Sequence, residues 1–153
     1  MKRFRIIIFL SVMVIILIFC VTNHWYISYT EQQELKHRPY YELYSSYYQV
    51  REEYRMFLMV HPQKTGESSI GEIFTEDFIR DTITKFENTD HGTYPIQVYL
   101  IAPSEELPYG WEKSELNISA NFDQSAFHRN TYCRITIPFD AKTLQECAIE
   151  WES

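Results

Sequence analysis

The chain opens on its longest apolar stretch. Residues 6–21 run for 16 positions with Ser11 as the only polar one, behind a basic head of Lys2, Arg3 and Arg5. As a helix this run rises about 24 Å, against a bilayer core of about 30 Å. Thr22, Asn23 and His24 follow it, then Trp25, Tyr26 and Tyr29, placed as an interfacial aromatic belt would be. The pattern predicts a transmembrane anchor over residues 6–24. All three early cations precede the run and the next, Lys36, lies far beyond it, so residues 1–5 are the expected cytoplasmic tail and the rest lies outside. Two other signals compete. A cleaved leader needs small residues ahead of the cut, and Ile18/Cys20 or Tyr26/Ser28 supply them poorly. A lipid-modified Cys20 would want a small residue before it, where Phe19 stands.

Beyond Pro39 the apolar positions change period. Tyr40, Leu43, Tyr47, Val50, Tyr54 and Phe57 are spaced 3, 4, 3, 4, 3, a heptad seam that predicts a juxtamembrane helix within residues 25–61. Eight of the 12 tyrosines lie between residues 26 and 54, and tyrosine suits half-buried contact surfaces. The seam fits either docking on the protein's own sheet or a partner interface. Residues 61–72 read as a loop. Thr75 is a good N-cap, with Glu76 and Asp77 in the first turn and Phe74 and Ile79 at staple positions, so a helix is expected to residue 87.

The last third reads as strands. Residues 94–102 are nearly all apolar, as in a central strand. Residues 103–113 form a loop carrying Leu107, Tyr109 and Trp111. Leu116, Ile118, Ala120 and Phe122 alternate with polar residues, and Cys133, Ile135 and Ile137 do so in residues 131–138. Asp140 would cap a closing helix over residues 141–151. The expected fold class is α+β: an N-terminal transmembrane helix, a juxtamembrane helix, and a small extracytoplasmic domain over residues 62–153. That domain would hold a three-stranded antiparallel meander with flanking helices.

Charge and cysteines sharpen the picture. Residues 25–153 carry 11 Lys/Arg against 21 Asp/Glu. Such a surface is unsuited to nucleic acid, which demands clustered cations, and it fits either plain solubility or a cationic partner. Outside the cytoplasm an even cysteine count implies a bridge, and Cys133 and Cys147 both fall on inward faces of adjacent elements, so a disulfide between them is expected.

No catalytic, metal or cofactor signature stands out. Lys64-Thr65-Gly66 lacks its companion S-x-x-K outside the apolar run. Glu34 and His37 form a lone E-x-x-H without a second ligand pair. Asp123, His128 and Cys133 make a nucleophilic set only on paper, because an inward cysteine supplies no thiolate. His61, His91 and His128 are candidate pH sensors, since carboxylates in an acidic domain raise an imidazole pKa.

The start MKRFR, the apolar run and an α+β outer domain with two cysteines resemble, in layout, small single-pass periplasmic co-regulators of the ToxS, PsaF and MyfF kind. That resemblance implies association with another membrane protein, such as a transmembrane transcription regulator. It carries over no functional residue. The expectation is therefore a non-enzymatic accessory of the bacterial inner membrane that binds such a partner, or a second copy of itself, in the periplasm or at the cell surface. Its candidate contacts are Tyr40, Leu43, Tyr47, Val50, Tyr54, Phe57, Leu107, Tyr109 and Trp111. A small-ligand or pH-sensing domain is the alternative.

Overall fold

The computed structural model describes residues 2–110 and 125–152. The chain divides into two units, Met1–His37 and Arg38–Ser153.

The first unit is one helix, α1 (Lys2–His37). Its side chains at Val12, Ile15, Leu17 and Phe19 are 48% to 69% exposed. Thr22 and Thr30 return their hydroxyls to carbonyls of the preceding turn, which satisfies them inside the helix. Among the described residues, no helix is long and apolar enough to cross a membrane. This overturns the expected anchor over residues 6–24 and the single-pass inner-membrane location built on it. The physical shortfall is length. The apolar run stops at Val21, about 24 Å of rise against a core of about 30 Å, and polar residues follow at once.

The second unit is a five-stranded mixed sheet in the order β1-β2-β3-β4-β5. Its strands are β1 (Tyr40–Tyr48), β2 (Glu53–Val60), β3 (Ile96–Ile101), β4 (Thr131–Ile137) and β5 (Ala148–Trp151). The pair β2–β3 is parallel and the other three pairs are antiparallel. A parallel pair needs a crossover. Residues 61–95 supply it, with two 3₁₀ turns, a short α2 (Ile70–Ile73) and α3 (Glu76–Glu87). A further short helix, α4 (Ser125–Arg129), precedes β4. The class is α+β, but the sheet is mixed and five-stranded where an antiparallel three-stranded meander was expected. The expected strand over residues 115–122 lies outside the described residues.

Two apolar clusters line the two faces of the sheet. On one face Tyr54, Met56, Leu58, Val60, Ile96, Val98 and Leu100 meet Ile70, Ile73, Phe74, Ile79 and Phe86 of the crossover. On the other, Leu43, Phe57, Met59, Tyr99 and Ile101 meet Leu107 and Phe127. Strand β2 is buried on both faces over almost its whole length. The helix expected over residues 40–61 is therefore a hairpin instead: a strand covered on both sides reads as a continuous apolar run, without alternation. Tyr40, Tyr47 and Tyr54 of the heptad seam face the crossover layer, Leu43 and Phe57 face the opposite layer, and Val50 lies at the exposed hairpin tip. A register shift between Glu42 and Tyr44 adds a residue to β1 and breaks its two-residue period. The chain turns back at Arg51, whose N–H donates to the Tyr48 carbonyl, and at Glu52, with φ of +49°.

Helix α3 forms where its cap places it. The Thr75 hydroxyl accepts from the Phe78 N–H at 3.2 Å, and Ile79 and Phe86 are buried. The expected closing helix does not form. Residues 144–146 make a 3₁₀ turn, held by the Glu146 carboxylate, which accepts the Lys142 and Thr143 N–H groups. Those backbone bonds hold its pKa below the usual carboxylate range. Cys147 to Trp151 is then extended.

That change removes the disulfide. Cys133 and Cys147 are both free thiols. Cys133 lies opposite Trp151 in the β4–β5 register, so Cys147 sits four residues back, just ahead of β5. At about 3.4 Å per residue that offset is roughly 14 Å, where a disulfide tolerates a Cα separation of about 4.4–6.8 Å. Burial pushes the Cys133 thiol up to about 11 and raises that of Cys147, so both stay protonated near neutral pH.

Candidate functional site

Most of the residues singled out in the sequence are structural. Leu43, Tyr54, Phe57 and Leu107 are buried in the two clusters. The Tyr54 hydroxyl reaches Thr89 Oγ1 and the Gly92 carbonyl, each at 2.6 Å. Tyr40, Tyr47 and Tyr109 are half-buried and pack against other rings. Val50 is exposed. Trp111, like Asp123, lies outside the described residues.

The three histidines do not converge. His61 caps a 3₁₀ turn through Nδ1, which accepts the Gln63 N–H, and meets the Tyr109 ring. His91 stacks on Tyr47 with ring centres 4.3 Å apart. His128 packs edge-on to Phe57 and Tyr99. Burial, then the nearby Arg55 and Arg51, hold its imidazole below the usual range. The expected upward shift from surrounding carboxylates is reversed there, because the charges that face His128 most strongly are guanidiniums. Arg55 itself is buried between Tyr48 and Tyr99 and paired with Glu53 at 2.6 Å. Among the described residues, no group of three His, Cys, Asp or Glu is placed to hold a metal ion.

Two exposed surfaces remain. The first is β5, the last strand of the sheet. All four of its residues are exposed, including Ile149 at 41% and Trp151 at 45%. The N–H of Glu152 donates inward to the Tyr132 carbonyl at 3.1 Å. Backbone groups alternate sides along a strand, so Glu150 and Ala148 also bond inward, and the N–H and C=O of Ile149 and Trp151 point outward. Those two residues thus present outward backbone groups and two large apolar side chains on one side of the sheet. No described strand pairs beyond β5.

The second is a groove of about 430 Å³ between β1 and α3. Tyr40 and Phe78, whose rings meet edge-on at 5.3 Å, and the buried Met56 and Leu58 supply its apolar lining. Glu42, Glu72, Asp77 and Asp81 supply carboxylates, against Lys85 as the one cation among the described lining residues. Lys85 Nζ bonds both Glu42 oxygens at 2.6 Å. Burial, then Asp81 and Glu42, push the Tyr40 phenol pKa up. Neither surface was identified from the sequence. Asp77 and Asp81, four apart on a recognised helix, were a legible signal. β5 was hidden inside the expected closing helix.

No family model matches the chain, and no curated protein or solved structure matches it.

Proposed function

We propose that the Arg38–Ser153 unit is a protein-binding module that receives an extended segment of a partner along β5, and that the chain serves that partner as an accessory, not as an enzyme. The observation that carries this reading is the outer edge of β5. Strand addition gains main-chain hydrogen bonds from outward N–H and C=O groups and specificity from alternate side chains. Ile149 and Trp151 offer both. Protein edges are ordinarily blunted by charge, proline or a covering element. Here Glu150 is the only charged residue of the strand, and it is paired with Arg134 on β4.

The test is a photo-crosslinking side chain at Trp151 in the full chain, expressed in its own cells, with Glu87 as the control position. One stoichiometric partner from position 151 and none from 87 supports the reading. Ile149→Pro should then abolish that adduct. It removes an N–H that, among the described residues, bonds nothing, at an edge where proline is tolerated. Self-adducts would replace the accessory with a homodimer. No adduct, or the same products from both positions, would end the proposal.

A further inference from the structure

The two faces of β5 differ in chemistry, and the difference bears on what can dock there. Side chains alternate along a strand, so Ile149 and Trp151 share one face and Glu150 and Glu152 the other. Glu150 stands opposite Arg134 in the β4–β5 register, and the Glu152 charge acts on the His128 imidazole. The Glu150 side chain is 54% exposed, and Arg134 holds it through one guanidinium nitrogen, short of the two-point fork that closes an Arg–carboxylate pair. Glu152 is exposed, and among the described residues no cation pairs with it. A second sign lies just beneath. Two buried polar atoms, Tyr132 Oη and Arg134 Nε, lack a hydrogen-bond partner among the described residues. Both belong to β4 and both side chains lie against β5: Tyr132 beside the Trp151 ring, with centres 6.3 Å apart, and Arg134 on Glu150. Buried polar groups are nearly always satisfied, so hydrogen bonding is unfinished at the edge beyond which no described strand pairs.

A second copy of the chain is a poor occupant. Two antiparallel β5 strands must match outward-bonding residues with outward-bonding residues. Centred on Glu150, that pairing sets Glu150 opposite the same residue of the copy. Centred on Trp151, it sets Glu150 opposite Glu152, and centred on Ile149 it brings Glu152 to the Glu146 turn. Like charges directly opposite are destabilising. We infer that β5 takes a foreign strand in which apolar residues alternate with lysine or arginine, the apolar ones beside Ile149 and Trp151 and the cations beside Glu150 and Glu152. The inference rests on the reading of β5 as the docking edge and names what docks there. The formal charge of −7 on the chain steers the same class of segment toward it.

The experiment titrates the full chain with three fluorescent peptides and reads anisotropy. Their cores, flanked by Gly-Ser, are Val-Lys-Val-Lys-Val, Val-Ser-Val-Ser-Val and Val-Glu-Val-Glu-Val. The lysine peptide should bind about fivefold tighter than the serine peptide, as for two cross-strand charge pairs, and the glutamate peptide should bind weakest. Glu152→Gln should narrow the lysine–serine gap about twofold. Glu87→Gln makes the same change in net charge away from β5 and should leave the gap unaltered. Ile149→Pro should abolish binding, and Trp151→Ala, a milder surface change, should weaken the lysine and serine peptides alike. Equal affinity for those two peptides, or an equal response to Glu152→Gln and Glu87→Gln, overturns the inference; the β5 reading still stands if Ile149→Pro abolishes the binding seen. Binding that survives both Ile149→Pro and Trp151→Ala removes the inference and the β5 reading together. No binding by the lysine peptide overturns the inference and leaves the β5 reading to the crosslink from position 151. Dimers of the full chain that Trp151→Ala disperses would put a second copy on the edge and overturn it as well.

Discussion

The two edges of the sheet are treated in opposite ways. β1 is nine residues long, and its side chains are drawn into the protein on both faces. Leu43 is buried against Phe57 and Phe127's layer, Tyr40 packs on Phe78 of α3, and Tyr41 meets Tyr109 edge-on at 5.2 Å while its hydroxyl accepts the Gly110 N–H. Glu42 is tied to Lys85 of α3. β5 is four residues long, and all four of its residues are exposed, with Trp151 leaning on the Tyr132 ring. An edge strand wrapped by its own helix and loop is part of the core. An edge strand that leaves Ile149 and Trp151 in solvent is a surface. The crossover layer explains the asymmetry, since α3 packs beside β1 and its apolar contacts extend over β2, β3 and β4, leaving β5 outside that roof.

The widest separation of the two edges is expected from truncation. Leu43→Ala should cost about 2–5 kcal/mol, as for a buried leucine. Trp151→Ala should cost under about 1 kcal/mol, as for a surface change. Denaturant midpoints for the two variants measure this directly, and a large loss for Trp151→Ala would break the comparison. Next in size is Tyr54→Phe, which strips a hydroxyl bonded to Thr89 and the Gly92 carbonyl and should cost about 1–2 kcal/mol. It tests whether the end of the roof is pinned to β2. Thr75→Ala removes the cap of α3 and should cost about 1 kcal/mol, seen as a lower melting temperature.

The smallest effect is the pH response of His128. Its pKa is lowered in the folded state, so the unfolded chain takes the proton first as pH falls through about 6.5. The contribution is complete above that value. It declines as pH drops toward the folded pKa, and levels off below it. His128→Gln should flatten this part of the stability curve between pH 7.5 and 5. A rise in wild-type stability on acidification traceable to His128 would reverse the sign.

Much of this layout was legible where one cue governs. Thr75, Glu76 and Asp77 start α3 by backbone capping, which depends on local sequence alone. The apolar run around Val98 and Leu100 marks a central strand because two buried faces demand it. The hairpin was illegible for a related reason. With both faces of β2 covered and an extra residue in β1, apolar positions recur at spacings that also fit a heptad, and only the tertiary layers decide between them. β5 was lost because Leu144, Cys147, Ala148 and Trp151 mimic a helical stripe over so short a span, whereas pairing with β4 sets Ile149 and Trp151 opposite Ile135 and Cys133. The Asp77–Asp81 spacing was readable, but the β1 wall facing it is brought there by the fold.

The central claim, that β5 is an edge with no described strand beyond it and offers Ile149 and Trp151, is tested most directly by residue-resolved amide hydrogen exchange on the full chain. The account predicts fast exchange at Ile149 and Trp151 and protection at Glu150 and Glu152, whose N–H groups bond to β4. Protection at all four amides would contradict it, because the outer side of β5 would then already be paired.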